Sequence, residues 1–182
     1  MKRYLLALPL LALGAPAMAN TAVINFTGTV VAGSCPITIT DPAGGSSGTI
    51  DMGNAMAGNF DRAGLEVNHR DFAIEITDAT TCPGWSGGGT NVGKIRFFGL
   101  AGGADGDELF ALNASNSPAT GVALGIKDDD GTLVGHGDES KDYPLSGPGP
   151  ETLAFTAFYK STAATVGAGH ANADVSVELT IN

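Results

Sequence analysis

The chain is predicted to be all-β, on three observations. Apolar residues recur at every second position, and helical periodicity is nearly absent. Glycine is abundant, at 27 of 182 residues. Clusters of Gly, Asp, Ser and Pro punctuate the alternating runs at short intervals. Many short half-buried strands joined by tight turns imply a sandwich or a barrel.

The elements follow in order. Lys2 and Arg3, an apolar stretch over residues 4–13 and Ala17-Met18-Ala19 have the layout of a cleavable export signal over residues 1–19. Its apolar run is about ten residues, short of the roughly 20 that a membrane span needs. Residues 20–35, NTAVINFTGTVVAGSC, then alternate. Ala22, Ile24, Phe26, Gly28 and Val30 form an apolar or small row, and Thr21, Asn25, Thr27 and Thr29 a polar one. That is a half-buried strand at a chain end, where domains usually fray. Cys35 to Ile39 reads as the next strand, stopped by Asp41-Pro42 and the Gly/Ser run at 44–48, and Ile50 and Met52 begin another. Phe72, Ile74 and Ile76 face inward on a strand, residues 84–89 form a loop around the sole tryptophan, Trp85, and Lys94 to Phe97 follow as a strand. A Gly/Asp-rich loop runs from 99 to 107. In the second half, Val122, Leu124 and Ile126 make one inward row, and Leu153, Phe155, Ala157 and Tyr159 another. Val175, Val177, Leu179 and Ile181 give the final strand an apolar face. Residues 20–182 thus carry one domain with a strand at each end.

Charge and cysteine content narrow the function. The chain has a formal charge of −10, and the signal holds two of its nine Lys and Arg, so the mature protein is more acidic still. Few basic side chains disfavour nucleic acid or anionic lipid as partner, because phosphate contacts need Lys and Arg. Cys35 and Cys82 are an even pair in an exported chain and read as a disulfide. In the chain-entropy account, closing a loop of roughly 48 residues stabilises by about 4 kcal/mol. A metal pair lacks a Cys or His partner at ligand spacing. His69, His136 and His170 are expected in loops or at loop edges, and no nucleophile elbow, zinc helix or phosphate loop occurs. Catalytic residues, metal and cofactor are therefore all expected to be none. From Asp128, an EF-hand frame would place Thr132 and Leu133 at its fifth and sixth positions, so residues 127–142 read as a solvated hairpin turn instead. Trp85 is expected to be partly buried against its own loop rather than to stack on sugars. Asn113-Ala114-Ser115 fits a glycosylation sequon, a pattern common by chance.

Five segments together resemble a known family. They are Ile24 to Val31 followed by Cys35, Phe72 to Ile76 followed by Cys82, Gly121 to Ile126 with its Asp-Gly turn, Phe155 to Tyr159, and Ala171 to Asp174 leading into the last strand. In this order and spacing the chain resembles a chaperone–usher pilin of the type 1 fimbrial family, similar to its major subunits, over essentially all of residues 20–182. The resemblance implies an incomplete immunoglobulin-like β-sandwich that lacks a strand and is completed by a donor strand. It implies a division into the signal at 1–19, an N-terminal donor-strand extension at 20–31 and a pilin domain at 32–182. By the same resemblance Ala22, Ile24, Phe26, Gly28 and Val30 are the donor row. Val175, Val177, Leu179 and Ile181 line the acceptor groove and contact a periplasmic chaperone. The implied partners are that chaperone, an outer-membrane usher and neighbouring subunits in a head-to-tail homopolymer, with no nucleic acid. One departure is Ile181, which stands where such pilins often carry an aromatic residue.

The function expected is a structural pilin, polymerised by donor-strand exchange into a cell-surface fimbrium that supports adhesion, with the shaft as its place. A minor adaptor or tip-fibrillum pilin is the nearest alternative. A free secreted carbohydrate- or calcium-binding sandwich is the alternative from another class.

Overall fold

The computed structural model describes residues 35–41, 45–46 and 48–182. The expected signal, the extension at 20–31 and its donor row lie outside the described residues. Among those described, nine strands occur: β1 Ile37–Thr40, β2 Glu66–Ile76, β3 Asn91–Gly99, β4 Gly103–Ala104, β5 Leu109–Phe110, β6 Val122–Asp128, β7 Tyr143–Leu145, β8 Glu151–Ser161 and β9 Val175–Ile181. They form a six-stranded sheet in the order β1-β2-β8-β6-β5-β4 and a three-stranded sheet in the order β7-β3-β9. Neighbouring strands are antiparallel throughout.

The two sheets meet through the rows that the sequence places inward. In β2 and β8 the register sets Phe72 opposite Phe155 and Ile74 opposite Leu153, so one face of the pair is continuously apolar. From the other sheet β3 brings Ile95 and Phe97, both fully buried. Phe97 stands edge-on to Phe155 at 5.1 Å between ring centres, and Phe72 stacks on Phe155 at 5.6 Å. Offset and edge-to-face contacts of this kind add roughly 0.5–1.5 kcal/mol each to the area they bury. This aromatic cluster is part of a core that also takes in Ile74, Ile76, Ile95 and Leu153.

Cys35 and Cys82 are joined as a disulfide. The bond ties the residue two before β1 to the turn after β2, and so pins an edge strand at its start. Asp78 caps that turn, its Oδ1 accepting from the Thr80 amide at 3.0 Å.

Several expectations need correction. Ile50 and Met52 lie in irregular backbone rather than a strand, although both pack against the core. His69 lies within β2, not in a loop. There β2 carries a bulge between Val67 and Arg70, with Asn68 at a φ of 54°. The loop at 99–107 contains the short strand β4. The turn after β6 is not wholly solvated, because Asp128 is only 2% exposed. Its Oδ1 accepts from the Thr132 amide at 3.1 Å and its Oδ2 from the Lys141 amide at 3.2 Å. Burial, then the hydrogen bond to the Asp130 carboxylate, holds the Asp128 carboxyl above the usual range.

Candidate functional site

Adjacent strands of the smaller sheet are buried to very different degrees. In β3 the inward residues Gly93, Ile95 and Phe97 are buried, whereas in β9 Val175, Val177 and Leu179 are only half-buried. The difference is positional. Strand β3 has neighbours on both sides, β7 and β9; among the described residues β9 pairs with β3 alone. Its free edge borders an open cleft of about 770 Å³ between the sheets.

The cleft has a floor and two walls. Phe72, Phe97, Leu124, Ile126, Ala157 and Tyr159 form the floor, from the inward rows of β2, β3, β6 and β8. One wall is residues 171–175 with Val177, leading into and along β9. It is held by residues that themselves line the cleft: the Tyr159 hydroxyl donates to the Ala171 carbonyl at 2.7 Å, and the Asn113 amide donates to the Asn172 carbonyl at 2.8 Å. Asn113 Oδ1 also accepts from the Asp174 amide at 3.2 Å, so the Asn of the sequon is a structural strut of this wall. The opposite wall is Ile39 of β1 with residues 48–53. That segment has no ladder of its own. Gly53, at a φ of +65°, closes a tight turn in which its amide donates to Asp51 Oδ1 at 2.8 Å.

Two carboxylates, Asp51 and Asp174, are the only charged groups lining the cleft among the described residues. Burial, then the negative charge of Asp51, holds the Tyr159 phenol above its ordinary value, so at neutral pH it stays a hydrogen-bond donor. An apolar floor at the depth of a sheet interior, beside a strand edge unpaired among the described residues, suits an extended apolar segment that can add main-chain hydrogen bonds.

The structure separates the four acceptor residues named from the sequence. Val175 and Val177 line the cleft. Leu179 continues the row toward the position of Gly93, and Ile181 is buried at the end of the strand, with the backbone of Gly84 against its carbonyl. A side chain at Gly84 would collide with that carbonyl, and Gly84 has a φ of +91°. Trp85 is half-buried against the core, its loop held by Asn91, whose Oδ1 accepts from the Ser86 amide at 2.7 Å. The histidines have structural surroundings. His69 stacks on Phe158 at 5.3 Å, the ring of His136 accepts from the Gly99 amide at 3.0 Å, and the main chain of His170 bridges to residues 117–119. Sequence reasoning missed the wall at 48–53, whose only trace was the apolar pair Ile50 and Met52.

Two antiparallel sheets around a shared core, one of them with an open edge over a cleft, define an incomplete immunoglobulin-like sandwich. Residues 24–182 match the fimbrial protein family, and the chain belongs to it. It is 29% identical to the probable major fimbrial subunit LpfA of Escherichia coli O157:H7, over 98% of this chain and 96% of that protein. It is likewise 29% identical to long polar fimbria protein A of Salmonella typhimurium, with the same coverage. Among solved structures it is similar to a Burkholderia pseudomallei antigen and type I fimbria protein, at 29% identity and a TM-score of 0.54. The likeness covers 80% of this chain and 95% of that one. A subunit in a chaperone–usher pilus structure matches at 25% identity and a TM-score of 0.60, over 92% of this chain and 100% of that one. The protein is thus a structural subunit of a surface fimbrium, exported through the periplasm. Its family is structural rather than enzymatic.

Proposed function

We propose that the cleft is the acceptor groove of a shaft pilin, filled by the N-terminal extension of the next subunit. The observation that carries this reading is the half-buried inward row of β9 along an open cleft. A strand laid there gains main-chain hydrogen bonds from the free edge and covers Val175 and Val177. Residues 20–31 are the donor, with Ala22, Ile24, Phe26, Gly28 and Val30 pointing to the floor. About ten extended residues span roughly 33 Å, enough to cross a sheet. Each apolar side chain buried in the join contributes roughly 1.5–3 kcal/mol. Head-to-tail joining of this kind does not close on itself and yields a filament.

Before assembly a periplasmic chaperone occupies the same groove, and an outer-membrane usher supplies the site of exchange. An uncovered apolar groove beside an open edge would otherwise invite aggregation. The shaft position is supported by end-to-end similarity to relatives that include a probable major fimbrial subunit.

Phe26→Asp in the mature chain tests the reading. The substitution puts a charge in the donor row and leaves the groove untouched. Co-expressed with its chaperone, the variant is expected to form the binary complex at wild-type yield and to form no polymers. Equal loss of complex and polymer would place Phe26 in the subunit's own core and overturn the proposal.

A further inference from the structure

The bulge in β2 reaches across to the irregular wall of the cleft. At the bulge Asn68 takes a φ of 54°, a conformation that Asn adopts more readily than most residues. In it, Asn68 Nδ2 donates to the Met52 carbonyl at 3.0 Å. Arg70 Nε donates to the Asp51 carbonyl at 3.1 Å, while its Nη1 donates to the His69 carbonyl at 3.1 Å. The guanidinium lies so close over Gly53 that a Cβ there would come within 2.9 Å of Nη2. Within the bulge, His69 stacks on the fully buried ring of Phe158, and Lys127 lies over that same ring at 4.6 Å. Glu66 Oε2 contacts both, Lys127 Nζ at 2.6 Å and His69 Nε2 at 3.4 Å.

We infer that Asn68 and Arg70 are positioning residues for strand capture: they hold residues 51–53 as a preformed wall of the groove. The inference rests on the acceptor-groove reading above. Residues 48–56 make no sheet ladder, so the Asp51 and Met52 carbonyls are held by these two side chains rather than by a neighbouring strand. A loose wall would have to be ordered each time a strand docks, and that ordering subtracts from affinity. A bulge fixed to the sheet by the His69–Phe158 stack supplies the order in advance. The residue types fit the task. Asn combines tolerance of positive φ with an amide donor, and Arg reaches two carbonyls with one planar group.

The test uses the mature chain filled with a fluorescent synthetic peptide of residues 20–31 and chased with unlabelled peptide. Asn68→Gly keeps the backbone conformation and removes only the side-chain bond; Arg70→Lys keeps the charge and loses the fork. Each is expected to release peptide about fivefold faster than wild type, the worth of one ordinary hydrogen bond. Each should also show a smaller peptide-induced rise in Tm. Wild-type release rates in both variants, with a Tm lowered equally in filled and chaperone-held chains, would mark the two residues as ordinary fold stabilisers and overturn the inference alone. Failure of the wild-type chain to capture the peptide would overturn the groove reading itself.

Discussion

Asp128 and Gly125 show what single residues contribute outside the groove. The Asp128 carboxylate is buried and accepts from two main-chain amides, of Thr132 and Lys141. Asp128→Ala leaves the Lys141 amide without that acceptor, which costs about 1–3 kcal/mol for a buried group, while the Thr132 amide keeps Asp130 Oδ1 at 2.8 Å. Thermal unfolding of the peptide-filled chain is expected to show a clearly lower Tm for Asp128→Ala, with Asp128→Asn in between. Gly125 faces the ring of Phe158, and a Cβ there would stand 2.3 Å from its Cζ. Phe158 is fully buried beneath His69 and Lys127, so the ring has little room to retreat. Gly125→Ala should therefore destabilise by about 1–3 kcal/mol or more, as overpacking does. A variant that melts with the wild type would show that the ring moves freely. Neither role was legible in the sequence. An Asp in an Asp-Asp-Asp-Gly run reads as a turn, and one of its two main-chain donors, the Lys141 amide, lies thirteen residues away.

At the scale of elements, legibility followed periodicity. The rows Phe72-Ile74-Ile76, Leu153-Phe155-Ala157-Tyr159 and Val175-Val177-Leu179-Ile181 are strands with those faces inward, because alternation is a property of one segment. The two-residue strands β4 and β5 have no room for a period and left no trace. His69, expected in a loop or at a loop edge, lies in β2 within the polar run Asn68-His69-Arg70-Asp71. At and beside the bulge these polar side chains have partners away from the core: His69 meets the Phe158 ring, Asn68 the Met52 carbonyl and Arg70 the Asp51 carbonyl, while Asp71 accepts from the Thr156 hydroxyl. The wall at 48–53 was illegible for the same reason: its partners are remote side chains, not a neighbouring run. On the groove reading, Val175→Ser and Val177→Ser each remove part of an apolar surface that the donor strand covers, on the order of 1 kcal/mol apiece. Each should speed peptide release roughly fivefold while the β3–β9 register, followed by amide exchange, stays unchanged. Unaltered release would mean the donor does not lie along β9.

For the whole molecule, charge sets the response to pH. Burial raises the Glu66 carboxyl, but the hydrogen bond and charge of Lys127, with His69, outweigh it and leave it below its ordinary 4.5. Lys94 and then Arg96 lower Glu139. Asp130 is lowered to about 2, chiefly by its hydrogen bonds from Asp128 and Thr132. A carboxylate depressed in the folded state binds fewer protons there than when unfolded. Its contribution is complete above the unfolded value and lost as pH falls through the folded one. Asp128, raised, acts in the opposite sense and offsets part of the Asp130 loss. The net expectation is a Tm that is flat near neutrality and declines from about pH 4.5 down toward 2. Glu66→Gln should flatten part of that decline, and a Tm that rises on acidification would contradict these assignments.

On the acceptor-groove reading, the domain is short of one strand, which its own kind supplies. The disulfide and the aromatic core form without it, yet among the described residues no strand covers the cleft beside β9. The most direct measurement is periplasmic production of residues 20–182 without a chaperone, with and without a synthetic peptide of residues 20–31, followed by sedimentation and thermal unfolding. The account predicts aggregation or polymerisation without a strand donor, and a folded, peptide-bound subunit of markedly higher Tm when the peptide is present. A well-folded monomer that forms alone, independent of concentration and indifferent to the peptide, would contradict it.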